Sequence, residues 1–212
     1  MARAANPFLP QQLMTAAAAV FAEHGLAHAR VADITARAGT SKGAFYLHFA
    51  SKEALYVAIA RDFLADVIAQ LERFDEVAYL GLTPAALDRL AELDTAFCDF
   101  LWDRRQPLAM VLEGAAGTPC AFLSDEFLDS IQTHMRQSMQ RQQDKLPSEF
   151  AAAIDPDFGA MLATGIIFMS ARRMARSAAK LDLASQITQF RRTMLFGFAQ
   201  ARTDDSSHLE TA

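Results

Sequence analysis

Cysteine, tryptophan, proline and glycine are all scarce in these 212 residues, with 2, 1, 7 and 9 copies. Two cysteines, Cys98 and Cys120, are too few for the disulfide framework of a small secreted domain. No cysteine or histidine set has metal-ligand spacing. Low glycine and proline exclude collagen-like and low-complexity chains. No apolar run approaches the roughly 20 residues of a membrane span, and the best, Thr15 to Ala22, falls far short. Met1 to Pro10 carries one arginine and no apolar stretch, so it does not read as a secretory signal. Alternating β-branched runs are missing, which removes the usual strand signal. Phosphate-cradling glycine loops and nucleophile-elbow sequences are missing too. The expectation is a cytoplasmic protein with reduced thiols, no cofactor, no metal, no membrane partner and no enzymatic activity.

What is present is apolar and helical. Hydrophobic residues make up 52% of the chain, too many for intrinsic disorder, and charged residues 21%. The net charge of -5 hides an asymmetry. Up to Arg61 there are six basic residues against three acids, which leaves fourteen against twenty-two in the rest. A basic head on an acidic body fits a polyanionic partner for the head alone, although the excess is small.

Proline, glycine and hydroxyl residues punctuate a helical pattern throughout. Pro10 suits the first turn of a helix closed by Gly25, with Leu13, Ala17, Val20 and Phe21 as its apolar stripe. Short helices follow over Val31 to Ala38 and Lys42 to His48, separated by Gly39, Thr40 and Ser41. Ser51 caps a long helix carrying Leu55, Ile59, Phe63, Val67 and Leu71, ending near Phe74. Thr83-Pro84 starts a helix to about Arg104, and Pro107 starts a short one to Glu113. Further helices are expected from Phe122 to Lys145, from Asp155-Pro156 to about Ala179, and from Asp182 to about Ala201. The total is about nine helices in an all-α fold. Residues 202–212 form a polar tail, expected to be disordered.

The segment Gly39 to Glu53, GTSKGAFYLHFASKE, carries the most information. Two short helices around a glycine and two hydroxyls make a helix-turn-helix, whose second helix lies in the DNA major groove. Gly43 and Ala44 leave the front of that helix nearly bare. Lys42 supplies a cation, and Tyr46 follows one turn later with a hydroxyl and a ring. His48 can donate to a phosphate. Phe45 and Phe49 point the other way, into a core with Phe21 and Ile34. Lys52 stands at the N-terminus of the next helix, where backbone N–H groups also favour phosphate.

Read together, Phe21-Ala22-Glu23-His24-Gly25, Val31-Ala32-Asp33-Ile34, the run from Ala38 to Phe49 and Ser51-Lys52-Glu53-Ala54-Leu55 resemble the N-terminal domain of TetR-family transcriptional regulators. The resemblance covers roughly Leu13 to Ile59. It implies a homodimeric, usually repressing protein, with three N-terminal helices for a double-stranded DNA operator. The rest of the chain would serve dimerisation and a small-molecule inducer. The corresponding division is 1–50 for DNA binding, 51–201 for ligand binding and dimerisation, and 202–212 for the tail. The implied DNA contacts are Arg30, Thr40, Ser41, Lys42, Gly43, Ala44, Tyr46, His48 and Lys52. The chain departs from the family pattern at Arg30, where a Thr or Ser N-cap is usual, and at Thr35, Thr40, Gln11 and Gln12.

Beyond the head, the chemistry is thinner. Phe97, Cys98, Trp102, Met110, Phe127, Ile131, His134, Met135, Met161 and Phe168 are candidate walls of an inducer pocket. His134, Thr164, Glu113 and Gln132 are candidate polar anchors. Apolar walls with few anchors favour an apolar or aromatic inducer, while Met and aromatic stripes are also ordinary core. Cys98, between Phe97 and Asp99, reads as core, and Cys120 is the better redox candidate. Phe158, Leu162, Ile166, Ile187, Phe190, Met194 and Phe198 supply bulk on the last two helices, beside small residues. That surface suggests a four-helix bundle between two copies, rimmed by Arg172, Arg173, Arg176, Arg191 and Arg192. The competing reading is a helical small-molecule sensor or carrier without effective DNA binding.

Overall fold

The computed structural model describes residues 6–77, 83–143 and 155–190. Eight helices are bounded there: α1 Leu9–His28, α2 Val31–Arg37, α3 Lys42–Tyr46, α4 Lys52–Asp75, α5 Pro84–Asp103, α6 Arg105–Glu113, α7 Phe122–Gln143 and α8 Pro156–Ala175. A ninth, α9, runs over 183–190 at the end of the described residues. No strand occurs among the described residues.

Local chemistry sets most of the helix starts. The side chains of Ser41, Ser51, Thr83 and Asp155 accept from the backbone N–H of Ala44, Ala54, Ala86 and Phe158, each three residues on. These are N-caps that satisfy amides with no helical partner. Asp182 does the same for Ser185, opening α9. Pro10, Pro84 and Pro156 fall within the first two helical positions of their helices, where a missing N–H costs nothing. Phe8, Arg30 and Arg104, the N-caps of α1, α2 and α6, make no side-chain cap bond.

Four bounds differ from the sequence expectation, and one is that of α3, which stops at Tyr46 and not at His48. Gly25 does not end α1 but kinks it, at φ 69° and ψ 163°, and the helix resumes to His28. Pro107 does not start α6, which begins two residues earlier at Arg105, still within a first turn that tolerates proline. The helix expected to reach about Ala179 stops at Ala175.

The core runs without a break from head to body. Leu13, Phe21, Ile34 and Phe45 join Leu55, Phe63 and Val67 of α4, and these join Leu101, Met110, Phe127 and Ile131. All five residues expected along the stripe of α4 are buried. An aromatic stack crosses the body: the Phe63 ring lies 5.8 Å from Phe127 and 6.2 Å from Phe100, and Phe100 lies 6.4 Å from Phe97. The stack binds α4, α5 and α7 together. The C-terminal end of α4 is tied separately, because Asp75 accepts from Ser138 and from Arg141 of α7.

Candidate nucleic-acid interface

The turn between α2 and α3 is built by Gly39. Its φ of 63° is a left-handed conformation that a Cβ would strain. There the N–H of Thr40 donates to Thr35 (2.9 Å) and that of Gly39 to Ala36 (3.2 Å). This pair of bonds is a Schellman motif. It fixes the angle at which α3 leaves α2. Phe45 then anchors α3, fully buried against α1 and α2, with Phe49 half-buried 6.0 Å away.

With Phe45 as anchor, the other α3 residues sort by angle. About 100° per residue puts Gly43 and Leu47 roughly 160° from Phe45, farthest from the core, and Lys42 and Tyr46 on one flank. The structure agrees. Tyr46 is 56% exposed but packs edge-on against Phe45 at 5.2 Å. It is therefore a flank residue and not opposite the buried phenylalanines. Lys42, Gly43 and His48 are exposed, and Ala44 and Thr40 half-buried. Ser41 is exposed, with its oxygen used as the cap and its proton left to donate outward. Leu47, which the sequence reading passed over, is 83% exposed, more than any other large apolar side chain among the described residues. Counting helical angles from Phe45 was the signal that pointed to it.

The cations of the head divide into free and engaged. Lys42 and Arg30 are exposed and make no ion pair among the described residues. Arg37 pairs with Glu23 at 2.8 Å. Lys52 does not present its ammonium for phosphate. Its Nζ donates to the carbonyls of Leu26 (2.7 Å), Ala29 (2.9 Å) and Ala27 (3.3 Å). A cation there complements the negative C-terminal end of α1, and this is a correction to its expected role.

The same end of α1 is joined to the body. The N–H of Leu26 donates to the carbonyl of Gly114, at the end of α6, over 2.7 Å. The buried hydroxyl of Tyr56 donates to the carbonyl of Met110, one turn earlier in α6. A Cβ at Gly25 would stand 3.3 Å from the Gly114 oxygen. Burial pushes the Tyr56 hydroxyl above its ordinary pKa, so it stays a donor.

Most of the expected inducer walls pack into or against the core. Phe97, Cys98, Met110, Phe127 and Ile131 are buried members of the packed core. Trp102 and Met135 are half-buried against it, with the Arg105 guanidinium 4.8 Å from the Trp102 ring centre. Phe168 is half-buried and Met161 exposed on α8. Of the ten, only His134 borders an open groove between α4 and α7. That groove has a volume of about 780 Å³. Leu64, Ile68 and Phe122 give it apolar surface, and Asp125, Glu126 and Asp129 acidic surface. No lysine or arginine lines it among the described residues. The Nε2 of His134 is buried without a hydrogen-bond partner.

The other candidate anchors lie elsewhere. Thr164 is buried with its hydroxyl unpartnered. Gln132 is exposed. Glu113 is taken by Arg172 (3.2 Å) and Arg176 (2.6 Å), so those arginines hold the end of α8 to α6. Burial pushes the Cys98 thiol up to about 11 and the Cys120 thiol upward as well, with Glu53 adding to the latter. Both thiols therefore stay protonated, and Cys120 lacks the cationic neighbour of a reactive thiolate.

On α8, Phe158, Met161, Leu162 and Met169 are exposed and Ile166 is half-buried, along one helical stripe. On α9, Ile187 is half-buried and Phe190 exposed. Met194 and Phe198, Arg191 and Arg192, and the tail lie outside the described residues. No helix among the described residues is long and apolar enough to cross a membrane, and no group of three metal-ligating side chains occurs there.

A family model described as bacterial regulatory proteins, tetR family, matches residues 13–59. The uncharacterized HTH-type transcriptional regulator YvdT of Bacillus subtilis is 42% identical over 62 residues, 29% of this chain and 32% of that protein. The HTH-type transcriptional activator FasR of Mycolicibacterium smegmatis is 31% identical over 102 residues, 48% of this chain and 44% of that protein. The matched part thus spans less than half the length of these curated relatives. The structure of the fatty acid degradation regulator FadR from Bacillus halodurans superposes with a TM-score of 0.62 at 16% identity, covering 88% of this chain and 95% of that one. That likeness is one of fold. Residues 13–59 thus match the helix-turn-helix segment of bacterial regulatory proteins of the tetR family, and the helical body shares its fold with the FadR structure.

Proposed function

We propose that the chain is a DNA-binding transcriptional regulator, a homodimeric repressor that holds a palindromic operator and is released by a small molecule. The carrying observation is the exposed face of α3, which bears the unpaired cation Lys42 at its first position and is anchored from behind by Phe45. Residues 1–50 contact DNA, and residues 51–201 supply the effector site and the subunit contact. Thr40, Ser41, Ala44, Tyr46 and His48 contribute hydroxyl, methyl and imidazole contacts around that face. The exposed stripe of α8, with α9, pairs with its copy as a four-helix bundle. Such a regulator works beside the chromosome, in the cytoplasm.

The effector enters the groove between α4 and α7. Its apolar surface favours an apolar or aromatic body, and its three carboxylates add a preference for positive charge. Occupancy there displaces α4, whose first turn holds α1 through Lys52. The α6 contacts with Leu26 and Tyr56 offer a second route to the head. A ligand shifts the DNA equilibrium only by its difference in affinity for the bound and free forms.

Selection of bound duplexes from a random-sequence pool by the full chain tests the reading. A two-fold symmetric site with half-sites about one helical turn apart is expected, bound with an affinity that falls steeply with salt. Failure to enrich any duplex at low salt, with the fold intact by circular dichroism, would favour the carrier reading.

A further inference from the structure

We infer that Leu47 reads the C5-methyl group of a thymine in the major groove and makes that base a specificity position of each half-site. The inference rests on the DNA-binding reading of α3 and extends it to a residue outside the expected contact set.

Leu47 has the helical φ of -70° and ψ of -24°, and its N–H closes a turn onto Gly43 at 3.2 Å. It therefore stands directly above Gly43, on the face farthest from the buried Phe45. At Gly43 an added Cβ would meet only the Ser41 hydroxyl, at 3.8 Å. The backbone there is open to close approach by base edges. Leu47 projects from the same face and is 83% exposed.

A leucine side chain has no donor or acceptor. It gains nothing from a phosphate or from the polar atoms of a base edge. The one apolar feature that the major groove offers is the thymine methyl. Lys42 and Tyr46, one turn apart on the flank, carry the polar and charged contacts instead. The helix is thus divided, with a polar flank that fixes position on the backbone and an apolar tip that reads sequence. Exposure also frees Leu47 from any duty in the core, since its removal uncovers nothing.

The test uses the duplex selected from a random pool by the full-length chain. Each thymine in turn is replaced by deoxyuridine, which deletes only the methyl. One thymine per half-site should lose about three- to tenfold in affinity on replacement, the scale of one buried methyl group and its contacts. Leu47→Ala should bind the unmodified duplex more weakly and lose sensitivity at that thymine. Its salt dependence should stay that of the parent, because no phosphate contact is removed. Its melting temperature should be unchanged. A flat deoxyuridine scan for the parent overturns the inference and leaves DNA binding standing. So does a Leu47→Ala protein that keeps the parent's deoxyuridine profile, or one that changes subunit association and not thymine preference. A pool from which the parent enriches nothing overturns both.

Discussion

Lys52 donates to three carbonyls at once, those of Leu26, Ala27 and Ala29. Hydrogen bonds from a charged donor are stronger than neutral ones, and partial exposure reduces their value, so Lys52→Met should cost about 1–2 kcal/mol of stability. A melting curve checks this. Lys42 and Arg30, by contrast, hold no partner among the described residues. Lys42→Ala and Arg30→Ala should leave the melting curve in place and weaken operator binding. Each should also reduce the slope of log affinity against log salt by about 0.9, the signature of one lost phosphate contact. Lys52→Met should leave that slope unchanged, and a drop of similar size there would return Lys52 to the DNA surface. Sequence spacing cannot make this distinction, because both lysines stand at the first position of a helix. The difference arises from the C-terminal end of α1, which comes near one of them and not the other.

At the scale of elements, the contact between α1 and α6 depends on backbone geometry. Gly25 sits at φ 69° and ψ 163°, a region held essentially by glycine alone, and its neighbour donates to Gly114. Gly25→Ala should cost on the order of 1–3 kcal/mol and loosen the head, visible as faster amide exchange at Leu26. Tyr56→Phe removes the hydrogen bond to Met110, whose carbonyl still accepts from Gly114 at 2.8 Å. The expected cost is only about 1 kcal/mol, measured by denaturant titration. A larger loss would mean that Tyr56 carries the joint between α4 and α6 by more than its hydrogen bond. The helices themselves were legible from punctuation, since Thr83, Asp155 and Ser51 cap where the sequence expected. Gly25 was read as a stop because glycine after an apolar stripe commonly closes a helix. Here it kinks the helix instead, and the turn that resumes supplies the carbonyls that Lys52 holds.

For the whole molecule, the stripe of α8 holds most of the exposed large apolar side chains of the body among the described residues. Phe158, Met161, Leu162 and Met169 are 43–62% exposed, more than monomers usually show along one helix. The double variant Leu162→Glu, Met169→Glu should sediment as a monomer with its helical content retained, since neither side chain is buried in the subunit. An intact dimer by analytical ultracentrifugation would move the subunit contact to another surface.

The sequence by itself determined the helical class, the helix-turn-helix and the family resemblance. Caps, the Gly39 turn and helical periodicity are local properties, settled within a few residues. It also placed Phe45 in the core with Phe49, one turn on, and Lys42 outside it with Tyr46, because each pair shares a helix face. Tertiary structure alone decided what the Met and aromatic stripes of the body do. Phe97, Met110, Phe127 and Ile131 carry the same pattern whether they line a cavity or fill a core. Only the approach of α4 to α5, α6 and α7, which stacks Phe63 on Phe127, closes that space. The open groove lies instead at the outer seam of α4 and α7, where acidic residues flank an apolar strip. Which side of a long helix meets a neighbour depends on contacts far apart in the chain, and no local signal records them.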